Sequence, residues 1–286
     1  MSRIRLIMLS LLAVFAVSAV AASAASAANE GPKWKRTSCK LASPANTGHW
    51  KKRSAAGKCE EEDKTGKSEF EKFTGVLGAG ETEPITFTSG TTKLEVPKAG
   101  VTITCQTDKG TGTISGGTPG TDKATIVFEE CSTSATCTAE SGTKAGIIEV
   151  PVNTELAYET KVAAEKHEEP VGIIFRTTSN TNSVFVTITF AGTGCPPETK
   201  VTATGGITGK IAGKGGVFCK IVPKATEEKV THEIECPATP VKKVWNWIAG
   251  TLTEQTVGLQ AFAFEAKQVG KAAINLASGE PWGVEL

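Results

Sequence analysis

The chain has 286 residues, with 31 basic and 30 acidic side chains, and 39% of its residues are hydrophobic. The balanced charge excludes the strongly basic surface that is typical of nucleic-acid-binding proteins, and the hydrophobic content excludes a disordered chain. Threonine is the most frequent residue, with 39 copies, and its β-branched side chain favours strands, so the composition predicts an all-β protein.

The first residues have the pattern of a secretory signal peptide. Two arginines precede an apolar run from Leu6 to Val20, and the small residues from Ala22 to Ala27 provide cleavage sites. We therefore predict a signal peptide over residues 1–28 and a secreted or envelope-associated mature chain. No cysteine precedes Cys39 to accept a lipid, so no membrane anchor is expected after cleavage.

Residues 29–68 are predicted to form a small basic module. Eight Lys and Arg side chains precede the acidic run Glu60–Asp63. Cys39 and Cys59 lie within this module and are expected to form a disulfide. A segment of this size buries little core by itself, so the bridge is expected to be its main constraint.

Residues 69–286 have the pattern of an antiparallel two-sheet sandwich or an open barrel. Short alternating runs are separated by turn residues at intervals of about eight to twelve residues. The candidate strands are Pro84–Thr88, Val101–Thr107, Thr111–Ser115, Ala124–Glu129, Gly146–Val150, Glu155–Tyr158, Val171–Thr177, Val184–Phe190, Lys200–Thr204, Gly206–Ile211, Val217–Ile221, Val230–Glu235, Val241–Ile248, Leu259–Glu265 and Ala272–Leu276. The run Ala163–Glu169 has helix-forming composition but ends at Pro170, so we predict a polar hairpin loop there.

All eight cysteines follow the export signal, and an even number in an oxidising compartment predicts four disulfides. No pair has the spacing of about two to four residues that structural zinc sites use, so no metal is expected. We predict three local bridges and one long-range bridge: Cys39–Cys59, Cys131–Cys137, Cys219–Cys236 and Cys105–Cys195. The alternative pairs Cys105 with Cys131 and Cys195 with Cys219, and leaves Cys137 to reach Cys236.

A series of cysteine and glycine-threonine motifs resembles a known group of sequences. The motifs are Thr104-Cys105, Lys109–Ser115, Ile126–Cys131, Gly146–Val150 and Val201–Ile211. They are similar to those of a paralogous group of uncharacterised, exported, β-rich bacterial proteins that contain cysteines. The resemblance covers about residues 70–286 and implies an exported β-rich fold, with no known activity, cofactor or catalytic residue. The insertion that holds Cys219 and Cys236 departs from the pattern.

Catalytic motifs are sparse in this sequence. Histidine occurs only at His49, His167 and His232, and the G-x-S-x-G, H-E-x-x-H and calcium-loop motifs are missing from the sequence. We therefore predict no catalytic residue and no cofactor, and we expect each histidine to be a solvated or satisfied surface side chain. A secreted polysaccharide hydrolase is the alternative, because an opposed pair of Glu carboxylates leaves no recognisable spacing.

Two tryptophans form the candidate ligand site. Trp245 and Trp247 alternate in the run Val241–Ile248, so both rings project from one face of a strand. If exposed, they form a platform for sugar rings; if buried, they fill the core. We predict an exported, disulfide-stabilised protein that acts without catalysis at or outside the cell surface, by binding a polysaccharide, an envelope polymer or an extracellular protein. A third interpretation is an inhibitor that offers the Cys131–Cys137 loop to a protease.

Overall fold

The computed structural model describes residues 31–178, 184–195, 207–222, 224–236, 239, 241–262 and 264–286, with the backbone alone over 207–216. The predicted signal peptide and the predicted strand Lys200–Thr204 lie outside the described residues. The described residues form twenty-one strands and one short α-helix, so the all-β prediction is confirmed.

The strands follow one another along the chain with short connections. The first eleven are β1 (Lys33–Leu41), β2 (Trp50–Arg53), β3 (Cys59–Glu62), β4 (Phe70–Val76), β5 (Thr82–Ser89), β6 (Thr92–Val96), β7 (Val101–Cys105), β8 (Thr107–Ser115), β9 (Thr121–Glu129), β10 (Ser132–Ser134) and β11 (Cys137–Glu140). The other ten are β12 (Ile148–Tyr158), β13 (Val171–Thr177), β14 (Val184–Gly192), β15 (Ile207–Val222), β16 (Thr231–Glu235), β17 (Val241–Ile248), β18 (Thr251–Ala261), β19 (Phe264–Val269), β20 (Lys271–Leu276) and β21 (Trp282–Glu285). The helix α1 (Lys161–Lys166) lies between β12 and β13, and a 3-10 helix (Pro97–Ala99) lies between β6 and β7.

Eight of these strands close into an antiparallel barrel, which we call the first ring. The order around it is β12, β13, β15, β16, β20, β5, β8 and β9, and β9 pairs again with β12. Alternate side chains of these strands point inward, and Ile114, Leu156 and Ile173 are fully buried there. Closure gives each strand of the ring two hydrogen-bonded neighbours.

The long strand β15 also belongs to a second closed set of pairings, which we call the second ring. The first half of β15 pairs with β14 and β18, and the pairings continue from β18 through β19, β6, β7, β10 and β11 back to β14. The register shifts where residues Lys214 to Gly216 all face Gly258 of β18. The second half of β15 then pairs within the first ring, so one strand joins the two rings.

The N-terminal residues form a separate five-stranded sheet in the order β21, β1, β4, β2 and β3. Two of these strands, β4 and β21, come from outside residues 29–68. Trp34 of β1 is 1% exposed, and its ring packs edge-on against Trp282 of β21 with the centroids 5.6 Å apart. Trp34 Nε1 donates a hydrogen bond to the carbonyl oxygen of Thr121 at 3.1 Å. The sheet therefore packs on the end of the first ring through Trp34.

A buried carboxylate connects three parts of this sheet. Glu280, just before β21, accepts a hydrogen bond from the backbone nitrogen of Cys59 at 2.9 Å. Its other oxygen lies 3.3 Å from Lys72 Nζ. Burying a carboxylate is costly unless it is paired and hydrogen-bonded, and both conditions are met here. Glu280 thus ties β3 and β4 to the C-terminal strand.

Four disulfides link the described residues, namely Cys39–Cys59, Cys105–Cys131, Cys137–Cys195 and Cys219–Cys236. The first and the last confirm the predicted pairs, whereas the predicted Cys131–Cys137 and Cys105–Cys195 bridges are wrong. The reason is strand pairing: β10 pairs with β7 and places Cys131 beside Cys105, and β11 pairs with β14 and brings Cys137 toward Cys195. Of the three pairs in the alternative scheme, Cys105–Cys131 is confirmed, whereas Cys195–Cys219 and Cys137–Cys236 are wrong. The inhibitor interpretation loses its disulfide-closed Cys131–Cys137 loop.

The predicted hairpin loop at Ala163–Glu169 is wrong, because the first part of this run lies in the helix α1. The Thr160 side chain caps the helix by accepting a hydrogen bond from the Ala163 backbone nitrogen at 3.1 Å. His167 ends the helix in the left-handed conformation, with φ +51°. One turn of helix therefore fits between two strands of the barrel.

Three groups of strand predictions also change. From Ile148 onward, the predicted strands Gly146–Val150 and Glu155–Tyr158 are parts of the single strand β12. From Ile207 onward, the predicted strands Gly206–Ile211 and Val217–Ile221 are parts of the single strand β15, because the intervening glycines stay extended and pair with β18. The predicted strand Leu259–Glu265 is instead the end of β18 and the start of β19, and the chain turns between them at Phe262, with φ +55°. Period-two alternation continues across the latter two sites and does not reveal the difference.

The substitution Trp34→Ala should lower the free energy of unfolding by about 3–5 kcal/mol, because it empties the space between the N-terminal sheet and the first ring. Trp50→Ala is the matched control. The Trp50 ring is half-buried, with Lys72 Nζ 4.4 Å from its centroid, and its loss should cost about 1 kcal/mol. Urea unfolding measures both values, and equal losses would contradict the role given to Trp34.

Candidate functional site

The predicted ligand site at Trp245 and Trp247 does not form an exposed pair of rings. Trp247 is 9% exposed and stacks on His167, with the centroids 6.3 Å apart and an angle of 10° between the planes. Trp245 is half-buried, and Lys161 Nζ lies 5.5 Å from its centroid. One ring therefore belongs to the core, and the other alone reaches the surface.

All three histidines have defined partners, and His167 Nδ1 lies 3.2 Å from the hydroxyl oxygen of Tyr158. His49 is exposed, and its Nδ1 lies 2.6 Å from a Glu71 carboxylate oxygen that raises the pKa of the imidazole. His232, which was predicted at the surface, is fully buried, and burial lowers its pKa. Its Nε2 lies 2.9 Å and 3.0 Å from the carbonyl oxygens of Glu227 and Trp282. Because both partners are acceptors, Nε2 carries the proton, and the ring is fixed beneath Trp282.

An apolar cavity of about 150 Å³ lies where the two rings meet. The first ring contributes Phe87, Ile126, Phe128, Val150, Phe175 and Ile234 to its wall. The second ring contributes Leu94, Ile103, Phe185, Val186, Ile188 and Leu259. These side chains recur at alternate positions of their strands, such as Ile126 and Phe128 of β9, because alternate residues face the interior. Hydrophobic side chains therefore dominate the wall.

Four polar side chains in the described part of the chain interrupt the apolar wall of the cavity, namely Asp108, Thr92, Gln268 and Lys271, and of these Asp108 and Thr92 are buried. Asp108 of β8 is 6% exposed, and burial raises the pKa of its carboxyl group. A hydrogen bond with Ser89, its cross-strand neighbour, lowers this pKa by a smaller amount. Thr92 of β6 is 4% exposed, and its Oγ1 has no hydrogen-bond partner among the described residues. The short connection from β5 to β6 joins Ser89 to Thr92, which brings the two polar groups to one side of the cavity.

The cavity reaches the surface beside Gly270 and Lys271. The Lys271 side chain is 54% exposed, and it lines both the cavity and an outer pocket of about 460 Å³. Cys236 and Gly270 also line both spaces. A Cβ at position 270 would lie 2.7 Å from Thr92 Cγ2, and Gly270 has φ +151°, so glycine keeps this corner open. The outer pocket therefore adjoins the cavity, and we take it as the entrance.

The outer pocket is polar, and its carboxylates are paired with lysines. Glu159 lies 3.7 Å from Lys220 Nζ and also pairs with Lys242, and Glu235 lies 3.4 Å from Lys271 Nζ. A glycosidase needs one carboxylic acid that donates a proton and a second carboxylate that attacks or activates water. Because both carboxylates of this pocket are held in ion pairs, the arrangement gives no support to the hydrolase alternative.

A second buried acid lies nearer the closed end of the first ring. Asp122 of β9 is 3% exposed and stands in one cross-strand row with Ile114 and Thr154. Neither carboxyl oxygen has a hydrogen-bond partner among the described residues, and burial raises the pKa of Asp122 to about 7. Asp122 is not among the residues that line the cavity.

Asp108 and Thr92 are the candidate functional residues that sequence reasoning missed. A signal for Asp108 exists in β8, where Asp108, Gly110, Gly112 and Ile114 share one face. Small and apolar residues mark the face of a strand that is directed toward the protein interior, so an acid on that face is expected to have a buried carboxyl group. Thr92 gives no comparable signal, because threonine is common throughout the chain.

Comparison with models of known protein families, with curated proteins and with solved structures found no match for this chain. Over the described ranges, His, Cys, Asp and Glu form no group of three or more that could hold a metal ion. In the same part of the chain, no helix has the length and apolar character needed to cross a membrane.

The substitution Asp122→Asn should flatten the pH dependence of stability. The folded-state pKa of about 7 lies above the unfolded value of about 3.9, so between these pH values the unfolded chain ionises and the folded chain does not. The contribution of Asp122 to stability is therefore greatest below about pH 4 and falls by on the order of 4 kcal/mol as the pH rises through 7.

Urea unfolding of both proteins from pH 4 to pH 8 isolates this effect, because titrations at other sites such as His49 cancel in the difference. Asp122→Asn should gain stability relative to the parent chain as the pH rises. A difference that stays constant with pH would contradict the burial of an ionisable Asp122.

Proposed function

We propose that this chain is an exported, non-catalytic binding protein that holds a small apolar molecule in the cavity between its two rings. The observation that carries the proposal is the cavity itself, which has an apolar wall and an entrance at Gly270 and Lys271. Closed eight-stranded barrels are suited to this role, because their interior has room for side chains and one small ligand.

The size of the cavity sets the size of the bound group. A dry apolar cavity of about 150 Å³ accommodates a group as large as benzene. Transfer of such a group out of water contributes roughly 25 cal/mol per Å² of buried apolar surface. A larger molecule fits if its remaining atoms extend into the outer pocket of about 460 Å³.

The disulfides support binding outside the reducing cytosol. Cys105, Cys219 and Cys236 line the cavity, so the bridges Cys105–Cys131 and Cys219–Cys236 hold its wall in place. Disulfides persist in oxidising compartments, which agrees with export of the mature chain. A wall fixed by covalent links is pre-organised, which lowers the entropy cost of binding.

The cavity takes the place of the tryptophan pair as the proposed ligand site. A polysaccharide platform needs two exposed rings, and Trp247 is stacked inside the fold on His167. Half-buried Trp245 remains accessible, but a single ring with Lys161 above it offers little area to a sugar polymer. A small molecule in the interior uses the enclosed apolar surface that this fold provides.

The substitution Ala272→Phe should abolish the binding of toluene, used here as an apolar probe. Ala272 lines the cavity, and a phenyl ring at this position occupies the space that the probe needs. Ligand-observed NMR and titration calorimetry on the oxidised protein measure the affinity, which should fall at least about tenfold.

Ala273→Phe is the matched control, since Ala273 follows on the same strand and its side chain points to the opposite face. This variant should bind toluene as the parent chain does. Retained binding in Ala272→Phe would place the probe elsewhere, and a parent chain that binds no toluene would end the proposal.

A further inference from the structure

The polar groups of the cavity indicate what kind of molecule enters it. Asp108 carries a carboxyl group into a wall that is otherwise almost entirely apolar, and Thr92 adds a hydroxyl oxygen without a hydrogen-bond partner. A buried polar atom that lacks a partner costs about 1–3 kcal/mol, so such atoms are rare in native cores. The unpartnered hydroxyl oxygen of Thr92 is explained if the ligand supplies its missing partner, and the same ligand can add a donor to the buried Asp108 carboxyl group beside Ser89.

Asp108 has acceptor sites that its hydrogen bond with Ser89 does not fill. Its cross-strand neighbour Ser89 supplies a single hydroxyl, whereas a carboxylate has about four lone-pair sites. A hydrogen bond to an ionised carboxylate is roughly twice as strong as one between neutral groups, and it is stronger still away from water. A donor on the ligand therefore has a specific place in this cavity.

We propose that the natural ligand is a small apolar molecule with one hydrogen-bond donor, a hydroxyl or an amine, which binds Asp108 while Thr92 Oγ1 makes a second polar contact. This inference rests on the proposed function, because it requires that the cavity binds a ligand. The apolar part of the molecule fills the space bounded by Phe87, Phe128 and Ile188.

Charge and pairing argue against an anionic ligand. A carboxylate or phosphate placed in the cavity meets the acid Asp108 in an apolar environment, where like charges repel strongly. The cation at the entrance, Lys271, is paired with Glu235, and Lys220 is paired with Glu159. Lys242 is also paired with Glu159, so among the described residues each of the three lysines that line the entrance is already engaged by one of its two carboxylates.

The test compares toluene with benzyl alcohol and benzylamine, which add a donor to a similar ring. Calorimetry on the oxidised parent chain gives the affinity of each probe, expressed as its ratio to that of toluene. In Asp108→Leu, which removes the acceptor, the ratios for benzyl alcohol and benzylamine should fall at least about tenfold. Thr92→Val keeps the side-chain shape and should lower the ratios by a smaller factor. Comparing the two donor probes shows whether a hydroxyl or an amine is preferred.

Asp122→Asn is the matched control, because it alters the other buried acid of the barrel outside the cavity, and its ratios should equal those of the parent chain. If Asp108→Leu does not fold, Asp108→Asn and Thr92→Val provide the comparison. Toluene binding with unchanged ratios in these variants would overturn the inference and leave the proposed function standing. A parent chain that binds none of the three probes would overturn both.

Discussion

The fold depends on β15, because it is the strand that both rings share. Within the described residues it pairs with four others, β13, β14, β16 and β18, whereas closure of a single ring needs two neighbours for each strand. Its length from Ile207 to Val222 corresponds to about 50 Å of extended chain, several times that of an average strand. The change of partners along this length is what allows two closed sets of pairings to share one backbone.

The junction of the rings explains both the cavity and the position of the disulfides. A cavity of about 150 Å³ forfeits about 4 kcal/mol of packing, judged from the cost per unit volume in protein cores. A disulfide contributes a similar amount by restricting the unfolded chain, about 2–4 kcal/mol. Cys105–Cys131 and Cys219–Cys236 both reach the cavity wall, so covalent links stabilise the part of the fold where packing is weakest.

The sequence reveals the strands better than it reveals their partners. Alternation in Val101–Thr107 and Val184–Phe190 locates β7 and β14, because burial of one face imposes period two, although the first run extends past the end of β7 at Cys105 into β8. Ring closure is invisible in that signal, since β9 and β12 or β13 and β15 meet through backbone groups that any sequence supplies. The two wrong disulfides have the same cause: chain spacing pointed to Cys131–Cys137, and strand pairing between distant segments decided otherwise.

The site is harder to predict than the fold, because it depends on which side of a strand faces which space. In the sequence, Trp245 and Trp247 are the same residue type at alternate positions of one strand. In the structure, Trp247 stacks on His167 in the core, whereas Trp245 lies at the surface. The residue that decides this is His167, which caps a helix that the sequence concealed before Pro170. For Asp108 the sequence indicates the direction of the side chain, because it shares one face of β8 with Gly110 and Gly112. The sequence does not indicate that a cavity lies on that side.

Asp108 and Asp122 show how the same side chain takes different roles along one barrel. Asp122 lies between Ile114 and Thr154 away from the cavity, so its desolvation is relieved by protonation alone. Asp108 pairs with Phe128 at the other end of the β8–β9 hairpin, six residues along β8 from Ile114, the partner of Asp122. A cavity lies beside Asp108 at that end. Desolvation at Asp122 therefore affects stability, whereas at Asp108 a donor on a bound ligand would offset it, and for this reason the proposed ligand site lies at the open end of the barrel.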